Sequence, residues 1–273
     1  MGGDYRSFDR LVTNPARITV VEAAAGSPSG TRDESCDDAG AAMMVRSPIV
    51  LTAFILWGPA LAGLTPCLPA LVQSAPRDSR YPAHWWTAVS KDGAPSWEIL
   101  PQEAGPGEVI LSKRHELGLL SNFAPTPFTF HGKRYASLEG FWQMMLYPEG
   151  PDDPRARFPG IEWKHTREDV AKMTAFVAKD AGTLAEANMA KMKIDWVTFE
   201  GKRIEYRPAK PGAHYDLIVA ATQEKVRQNP EVRKVLLATG DLILKPDHHQ
   251  EPNAPAAWRY FEILTEIRAE SRR

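Results

Sequence analysis

The sequence predicts a helix-rich α+β fold, mainly α with small antiparallel β hairpins, in a single domain. Two observations lead to this prediction. Apolar residues recur at helical spacing in several segments after residue 107, and short strand-like runs are joined there by two-residue turns. The composition, with 43% hydrophobic and 25% charged residues among 273, is typical of a soluble globular protein.

Five short strands are expected. An isolated strand is expected at residues 108–111. Residues 128–130 and 133–135 flank the pair His131-Gly132, and residues 194–199 and 202–206 flank the pair Glu200-Gly201. A two-residue connection that contains glycine is typical of a β hairpin, so two antiparallel hairpins are expected.

The helices are predicted from capping residues and apolar spacing. Ser137 can cap one helix, and Thr166, three residues before Asp169, has the spacing of a capping box for the next. Asn229 followed by a proline is typical of a helix start. The predicted helices cover residues 138–146, 166–177, 183–192, 215–226, 230–239 and 258–268.

The region before the predicted domain divides into three parts. Residues 1–42 are small and polar, and indicate a disordered or wrongly assigned extension. Residues 43–76 resemble a signal peptide, because the apolar run at 49–61 follows Arg46, has the length of a signal-peptide core and ends at a small-x-small cleavage site, Ala60-Leu61-Ala62. Residues 77–107 are interpreted as a linker or N-terminal extension, with Trp85, Trp86 and Trp97 as anchors on the domain surface.

Two locations of the protein are therefore open. A signal peptide predicts export to the periplasm or the extracellular space, whereas a proline-broken apolar tail, membrane-associated or loosely packed, leaves a cytoplasmic protein possible. Prolines also interrupt the apolar run before it reaches the ~20 residues that a spanning helix needs. No stable membrane span is expected.

The charge balance excludes some partners. The 33 basic and 34 acidic residues leave a net charge of -1, which argues against a general nucleic-acid binder. The two cysteines do not have metal-ligand spacing. The segment Asp247-His248-His249 is not interpreted as a metal site, because adjacent histidines point in different directions and the spacing provides no third ligand.

Several motifs in order resemble the NADAR (YbiA-like) family over residues 108–268. They are S-N-F at 121–123, G-K-R-Y at 132–135, S-L-E-G-F-W-Q at 137–143, L-L-A-T-G-D at 236–241 and I-L-T-E-I-R at 263–268. The resemblance implies a YbiA-like single domain at 108–270 with a cleft for a small phosphorylated ribosyl or ADP-ribosyl ligand, and no cofactor. It also implies hydrolysis of N-glycosidic bonds, as in riboflavin-pathway ribosylamino intermediates or ADP-ribose attached to guanine.

Glu139 is the candidate catalytic residue. Cleavage of a ribosyl C–N bond passes through a cationic sugar, which a carboxylate near C1′ can stabilise while it orients or deprotonates water. Glu139 matches the glutamate of the family motif and lies at a predicted helix start among apolar neighbours. The alternative is a glutamate that caps the helix or pairs with an arginine.

Eight residues are candidate ligand contacts. Asn122 and Gln143 can hydrogen-bond a ribose hydroxyl or an amide, Trp142 can stack on a base, and basic side chains can meet phosphate. Each also has an ordinary interpretation: a turn-forming asparagine, a solvent-facing glutamine, a core tryptophan or a solvated cation. The candidates are Lys113, Asn122, Phe123, Arg134, Trp142, Gln143, Asp241 and Trp258.

The chain departs from the family pattern near its C-terminus. The family has D-x-x-W-G and a glycine-rich stretch, whereas here Pro255 takes the place of the aspartate before Trp258 and Arg259 that of the glycine. Asp241, Asp247 or His248 could supply the missing polar group. Three functions remain open: a hydrolase of N-glycosyl bonds, a non-catalytic module that binds an ADP-ribose or NAD-like ligand, and a structural or interaction role.

Overall fold

The computed structural model describes residues 78–273. This part of the chain contains six α-helices and six β-strands. Within that part no helix is long and apolar enough to cross a membrane. The extension at 1–42 and the signal-like segment at 43–76 lie outside the described residues. The predicted helix-rich α+β fold class is confirmed.

The elements follow one another in a mixed order. The strands are β1 (Glu108–Ile110), β2 (Phe128–Phe130), β3 (Lys133–Tyr135), β4 (Trp196–Phe199), β5 (Lys202–Glu205) and β6 (Ile243–Lys245). The helices are α1 (Leu138–Met144), α2 (Arg167–Ala171), α3 (Ala175–Met192), α4 (Ala213–Gln228), α5 (Pro230–Ala238) and α6 (Tyr260–Glu270). Short 3-10 turns lie at Ala83–Trp86, Pro101–Glu103, Glu116–Leu120 and Ala256–Trp258.

Both predicted hairpins form. β2 pairs antiparallel with β3, and β4 with β5. Each turn begins with a non-glycine residue at positive φ, 47° at His131 and 50° at Glu200, and continues with a glycine at 75°. Positive φ at both central residues matches the right-handed twist of the flanking strands, which is why a glycine-containing pair occurs there.

A third strand pair was not predicted. β1 pairs in parallel with β6, with Val109 opposite Leu244. β6 has three residues, and its partner lies more than a hundred residues earlier in the chain. Because no turn joins parallel neighbours, the local sequence carried no signal for this pair.

The helices after α1 differ from the prediction in one place. The capping box at Thr166 and Asp169 is present, but α2 ends at Ala171 and α3 begins at Ala175. The break is held by tertiary hydrogen bonds, from the Ala136 amide to the Ala171 carbonyl (3.0 Å) and from the Ala175 amide to the Phe123 carbonyl (3.1 Å). The separate helix predicted at 183–192 is the second half of α3.

The segment before β1 contributes to the core. The expected surface position of Trp85 and Trp86 is wrong, because both side chains are buried in the main hydrophobic cluster. The Trp85 indole donates to Glu116 Oε1 (2.7 Å), and the Trp86 indole donates to the Glu108 carbonyl (2.9 Å). Paired indole N–H groups allow these large side chains to be buried without a lost hydrogen bond. The domain start predicted at residue 108 stays a prediction.

Acid lability is expected from two buried histidines. Burial lowers the pKa of His115 and of His214 to about 4, whereas an unfolded histidine titrates near 6.5. Between these values the unfolded chain binds more protons than the folded one, so stability falls as pH falls from 6.5 to 4. Each histidine contributes a loss of about 3 kcal/mol at the acid end.

Urea denaturation at pH 7, 5.5 and 4 measures this loss. His214→Phe is expected to reduce the slope of unfolding free energy against pH, because the ring is flanked edge-on by Trp142 and Tyr206 rather than held by polar groups. His131→Gln is the control, since His131 is half exposed. An unchanged slope in the His214 variant would contradict the prediction.

Candidate functional site

A cavity of about 680 Å³ lies between the segment before α1, helices α1 and α3, and the segment between β6 and α6. It brings together seven of the nine predicted site residues. They are Lys113, Asn122, Phe123, Glu139, Trp142, Gln143 and Trp258.

The two other predicted residues lie elsewhere. Arg134 is exposed on β3 and lines a separate depression of about 240 Å³, because the inward face of its hairpin is taken by the aromatic residues of the core. Asp241 is exposed after α5, where its carboxylate pairs with Arg272 (2.9 Å) and its amide donates to Tyr81 (3.0 Å). Neither residue contacts this cavity.

Glu139 lies in the cavity wall on the first turn of α1 and is only 6% exposed. Its amide donates to the Asn122 carbonyl (2.9 Å), which ties the helix start to the S-N-F segment. The capping side chain of α1 is Ser137, and among residues 78–273 Glu139 has no ion pair. The helix-cap and arginine-pair interpretations of Glu139 therefore do not apply.

The Glu139 carboxyl has a distinct electrostatic environment. Burial raises its pKa. The hydrogen bond from Gln143 Nε2 to Glu139 Oε1 (2.7 Å) offsets part of that rise, and so do the charges of two cavity lysines, Lys179 and Lys113. A desolvated carboxyl with a raised pKa is a stronger base once ionised than an exposed one.

Gln143 is positioned by close packing against α3. A Cβ built on Gly182 would lie 1.8 Å from Gln143 Oε1, so only glycine leaves room for the amide. The Gln143 Oε1 atom is itself buried without a hydrogen-bond partner in the described part of the chain. Gly182 was not predicted as a site residue, because a glycine inside a helix carries no local signal for a close contact with a side chain of another helix.

Gly182→Ala is expected to raise the pKa of Glu139 further. The added methyl must displace the Gln143 amide, and the hydrogen bond that lowers the pKa of Glu139 is then lost. The fold should persist, because the displaced group is the end of a flexible side chain and alanine favours a helix interior by about 0.5–1 kcal/mol over glycine.

The titration of the Glu139 carboxyl, followed by carbon-13 NMR, measures the effect of Gly182→Ala. Gly150→Ala is the matched control, since a Cβ there meets no atom within 4 Å. A titration of Glu139 that is the same in wild type and Gly182→Ala would contradict the assigned role of Gly182.

A second carboxylate faces the cavity from the other side. Asp247 is buried and forms an ion pair with Lys113. His248 Nδ1 (3.0 Å) and the Tyr260 hydroxyl (3.3 Å) lie within hydrogen-bond distance of its Oδ1 atom. Burial by itself would raise the pKa of Asp247, but the hydrogen bond from His248 and the ammonium of Lys113 outweigh it and lower the pKa.

Lys113, which was expected to contact phosphate, instead forms an ion pair with Asp247. Its ammonium group is occupied by a carboxylate and lies 5.4 Å from the centre of the Phe123 ring. The other cavity lysine, Lys179 on α3, has no ion pair within residues 78–273. Lys179, which was not predicted from the sequence, is thus the cavity lysine that is not already paired with a carboxylate in the described part of the chain.

Lys225 forms a hydrogen bond with the backbone of the S-N-F segment. It is buried on α4, and its ammonium group donates to the Ser121 carbonyl (2.6 Å). Burial lowers the pKa of Lys225 to about 7. This contact fixes the backbone next to Asn122, whose side chain lines the cavity.

Aromatic side chains form much of the remaining wall. The Trp142 indole donates to the Tyr206 hydroxyl (3.1 Å), which donates to Glu186 Oε1 (3.2 Å). Phe123 and Phe176 meet edge to face, with ring centres 5.1 Å apart. Since Trp142 is 5% exposed, it contributes to the core as well as to the cavity wall.

Comparisons with known proteins give a limited result. No protein-family model matches the sequence, and no curated protein matches it. The NMR structure of the E. coli protein YbiA is similar with a TM-score of 0.38 and 19% identity. The likeness covers 60% of this chain and 86% of that one. The function of the cavity is therefore inferred from its own residues.

Proposed function

We propose that the protein is an N-glycosidase that hydrolyses the N-glycosidic bond of a ribose-phosphate or ADP-ribose-type compound. The proposal depends on one observation. The Glu139 carboxyl is buried in the wall of a large cavity, without an ion pair in the described part of the chain, beside the amide of Gln143 and close to Asn122.

The reaction needs a carboxylate at this kind of position. As the bond between C1′ and the base nitrogen breaks, its electron pair leaves with the nitrogen, which is protonated from water, and the sugar becomes cationic. Ionised Glu139 stabilises that cation and takes a proton from the water whose oxygen bonds to C1′. Glu139 then returns this proton to the hydroxide left by the water that protonated the nitrogen, so it is ionised again. The products are the free base and the ribose hydroxyl compound.

The carboxylates that line the cavity outnumber its lysines. Glu186, Asp247 and Glu251 line the same cavity as Glu139, and the low pKa of Asp247 keeps this buried residue ionised at neutral pH. Asp247 is paired with Lys113 and Glu186 with Arg207, so Glu139 is the buried cavity carboxylate that is left to stabilise a developing positive charge.

The size and polar groups of the cavity fit a nucleotide-sized ligand. Its volume of about 680 Å³ falls within the ~300–1,000 Å³ range of small-molecule sites. In this proposal the Asn122 amide binds a ribose hydroxyl, and Lys179 binds a phosphate oxygen. The aromatic side chains cover the base.

An assay of the full chain tests the proposal. The protein is incubated with ADP-ribosylated guanine and with ribosylaminopyrimidine phosphates, and release of the free base or amine is measured. Release by wild type that is lost in Glu139→Gln is the expected result. Absence of both turnover and binding would contradict the proposal.

A non-catalytic binding module is the second candidate. Pro255 lines the cavity where the family resembled by the sequence has an aspartate, so an acidic group is missing from this wall. Tight binding of ADP-ribose without turnover of any substrate in the panel would favour this candidate over the hydrolase.

We also propose that residues 43–76 direct export. An exported protein would meet an ADP-ribosylated or nucleotide-like target rather than an intermediate of riboflavin synthesis. The N-terminus of the protein purified from its native host tests this, and a mature N-terminus shortly after residue 62 is expected. A mature chain that retains residues 43–76 would contradict export by cleavage.

A further inference from the structure

Trp97 lines the cavity. It belongs to the segment before β1, outside the region whose motifs resemble the family. Its side chain is 37% exposed. Trp97 was expected to be an anchor on the domain surface, because no capping or spacing pattern in the sequence connects it with a ligand.

The backbone around Trp97 is fixed to the wall of the cavity. The His249 amide donates to the Trp97 carbonyl (3.3 Å), and the Ile99 amide donates to the Asp247 carbonyl (2.9 Å). Between them, Glu98 and His248 form an antiparallel bridge. The strand-like pairing thus joins Trp97 to the segment that carries Asp247.

Side-chain contacts hold the same segment from the other side. Glu98 accepts two hydrogen bonds from the Arg114 guanidinium, at 2.7 and 2.6 Å, a bidentate pair that restricts both side chains. The Lys113 ammonium lies 5.8 Å from the centre of the Trp97 ring. The backbone that carries the exposed indole is therefore held at the cavity before any ligand binds, which lowers the entropy lost on binding.

A second half-exposed indole lines the same cavity. Trp258 is 38% exposed, and the Arg207 guanidinium lies 5.1 Å from the centre of its ring. The other large apolar side chains exposed in residues 78–273 do not line this cavity: Phe158, Val177, Leu184 and Ile243. Exposed tryptophan is thus concentrated at the cavity, and a flat ring with an exposed face binds other flat rings.

We propose that Trp97 binds the planar heteroaromatic ring of the ligand by stacking, and so selects ribosides that carry an aromatic base over ribose phosphates that lack one. This inference rests on the proposed function, because it assumes that the cavity is the ligand site. It assigns to the segment before β1 a direct part in substrate selection.

Binding of two non-reacting probes tests the inference. Adenosine monophosphate and ribose 5-phosphate share the ribose phosphate and differ in the base. Their dissociation constants are measured by calorimetry on the full chain. Wild type is expected to bind the nucleotide about 10-fold more tightly, and Trp97→Ala is expected to lose about 10-fold in nucleotide affinity, the range of one base stacked on an aromatic ring.

The controls separate stacking from folding. Trp97→Ala should leave the affinity for ribose 5-phosphate within about 2-fold of wild type, and Trp97→Phe should retain most of the nucleotide affinity, because phenylalanine keeps a flat ring. Phe158→Ala removes an aromatic side chain of similar exposure, 43%, away from the cavity, and should change neither constant.

Three results would overturn the inference. They are nucleotide binding by Trp97→Ala equal to that of wild type, equal losses for both probes in that variant, and a wild type that does not prefer the nucleotide. The assay for base release is independent of these constants. Turnover by wild type with unchanged nucleotide binding in Trp97→Ala would therefore refute the role of Trp97 and leave the hydrolase proposal intact.

Discussion

Glu139→Gln is expected to lower kcat for N-glycoside hydrolysis by about 10²- to 10⁴-fold, the usual contribution of a positioned acid or base, with little change in KM. Glutamine keeps the size of the side chain and can still contact Gln143, so the cavity should keep its shape. It has no negative charge for the cationic sugar and no basic oxygen for water. The loss should therefore appear in the transition state rather than in ligand binding.

The pH dependence of the wild type provides a second measure of Glu139. Since burial raises the pKa of Glu139, and the ionised form is the active one, activity should fall as pH falls through a value above the ordinary range for glutamate. This acid limb should be absent from the residual activity of Glu139→Gln. The dependence of kcat/KM on pH gives the pKa of Glu139 in the protein without bound substrate.

Glu231→Gln is the matched control for Glu139→Gln. Glu231 is exposed on α5 and does not line the cavity, and its substitution should leave kcat within about 2-fold of wild type, since no residue of the site changes. If kcat of Glu139→Gln is within a factor of three of the wild-type value, Glu139 does not act as the base or the stabilising charge in the reaction.

Arg155→Met is expected to lower the free energy of unfolding by about 3–5 kcal/mol. The substitution leaves the buried carboxylate of Asp153 without its partner. Arg155 is 1% exposed and pairs with Asp153 through two nitrogens, at 3.0 and 2.7 Å. It also donates to the carbonyls of Met145 and Leu146, both at 3.1 Å, and Tyr147, at 3.0 Å. These carbonyls follow the end of α1, so the substitution also removes hydrogen bonds from the residues directly after the helix that carries Glu139.

The ionisation of Asp153 adds a pH signature to this prediction. Burial by itself would raise the pKa of Asp153, but hydrogen bonds from Arg155 outweigh it and lower the pKa to about 2. An unfolded aspartate titrates near 3.9. The stability from this pair is thus present above pH 3.9 and is lost as pH falls from there towards 2.

Urea denaturation at pH 7 compares Arg155→Met with Arg157→Met. Arg157 pairs with Asp152 at 2.8 Å, but both side chains are largely exposed, and such surface pairs contribute about 0–1 kcal/mol. The double variant Asp153→Asn, Arg155→Met should recover part of the loss, because no buried carboxylate is left unpaired. Equal losses for the two arginine variants would contradict the buried network as a source of stability.

The local features of the fold were predictable from the sequence. The turns at His131-Gly132 and Glu200-Gly201, the Ser137 cap and the Thr166 capping box are determined by residues within a few positions of one another. The same applies to the centre of the site, where Glu139 and Gln143 are one helical turn apart and share a hydrogen bond. Short-range geometry is set by the backbone itself, and so the amino-acid order contains it.

The rest of the site was decided by tertiary structure. Lys113 and Asp247 are 134 positions apart, Trp97 joins the wall through the pairing of Glu98 with His248, and Gly182 gives room to a side chain of another helix. The parallel pairing of β1 with β6 brings the 113 and 247 segments together. Which distant segments meet depends on the packing of the whole core, a sum of many weak contacts that no local pattern records.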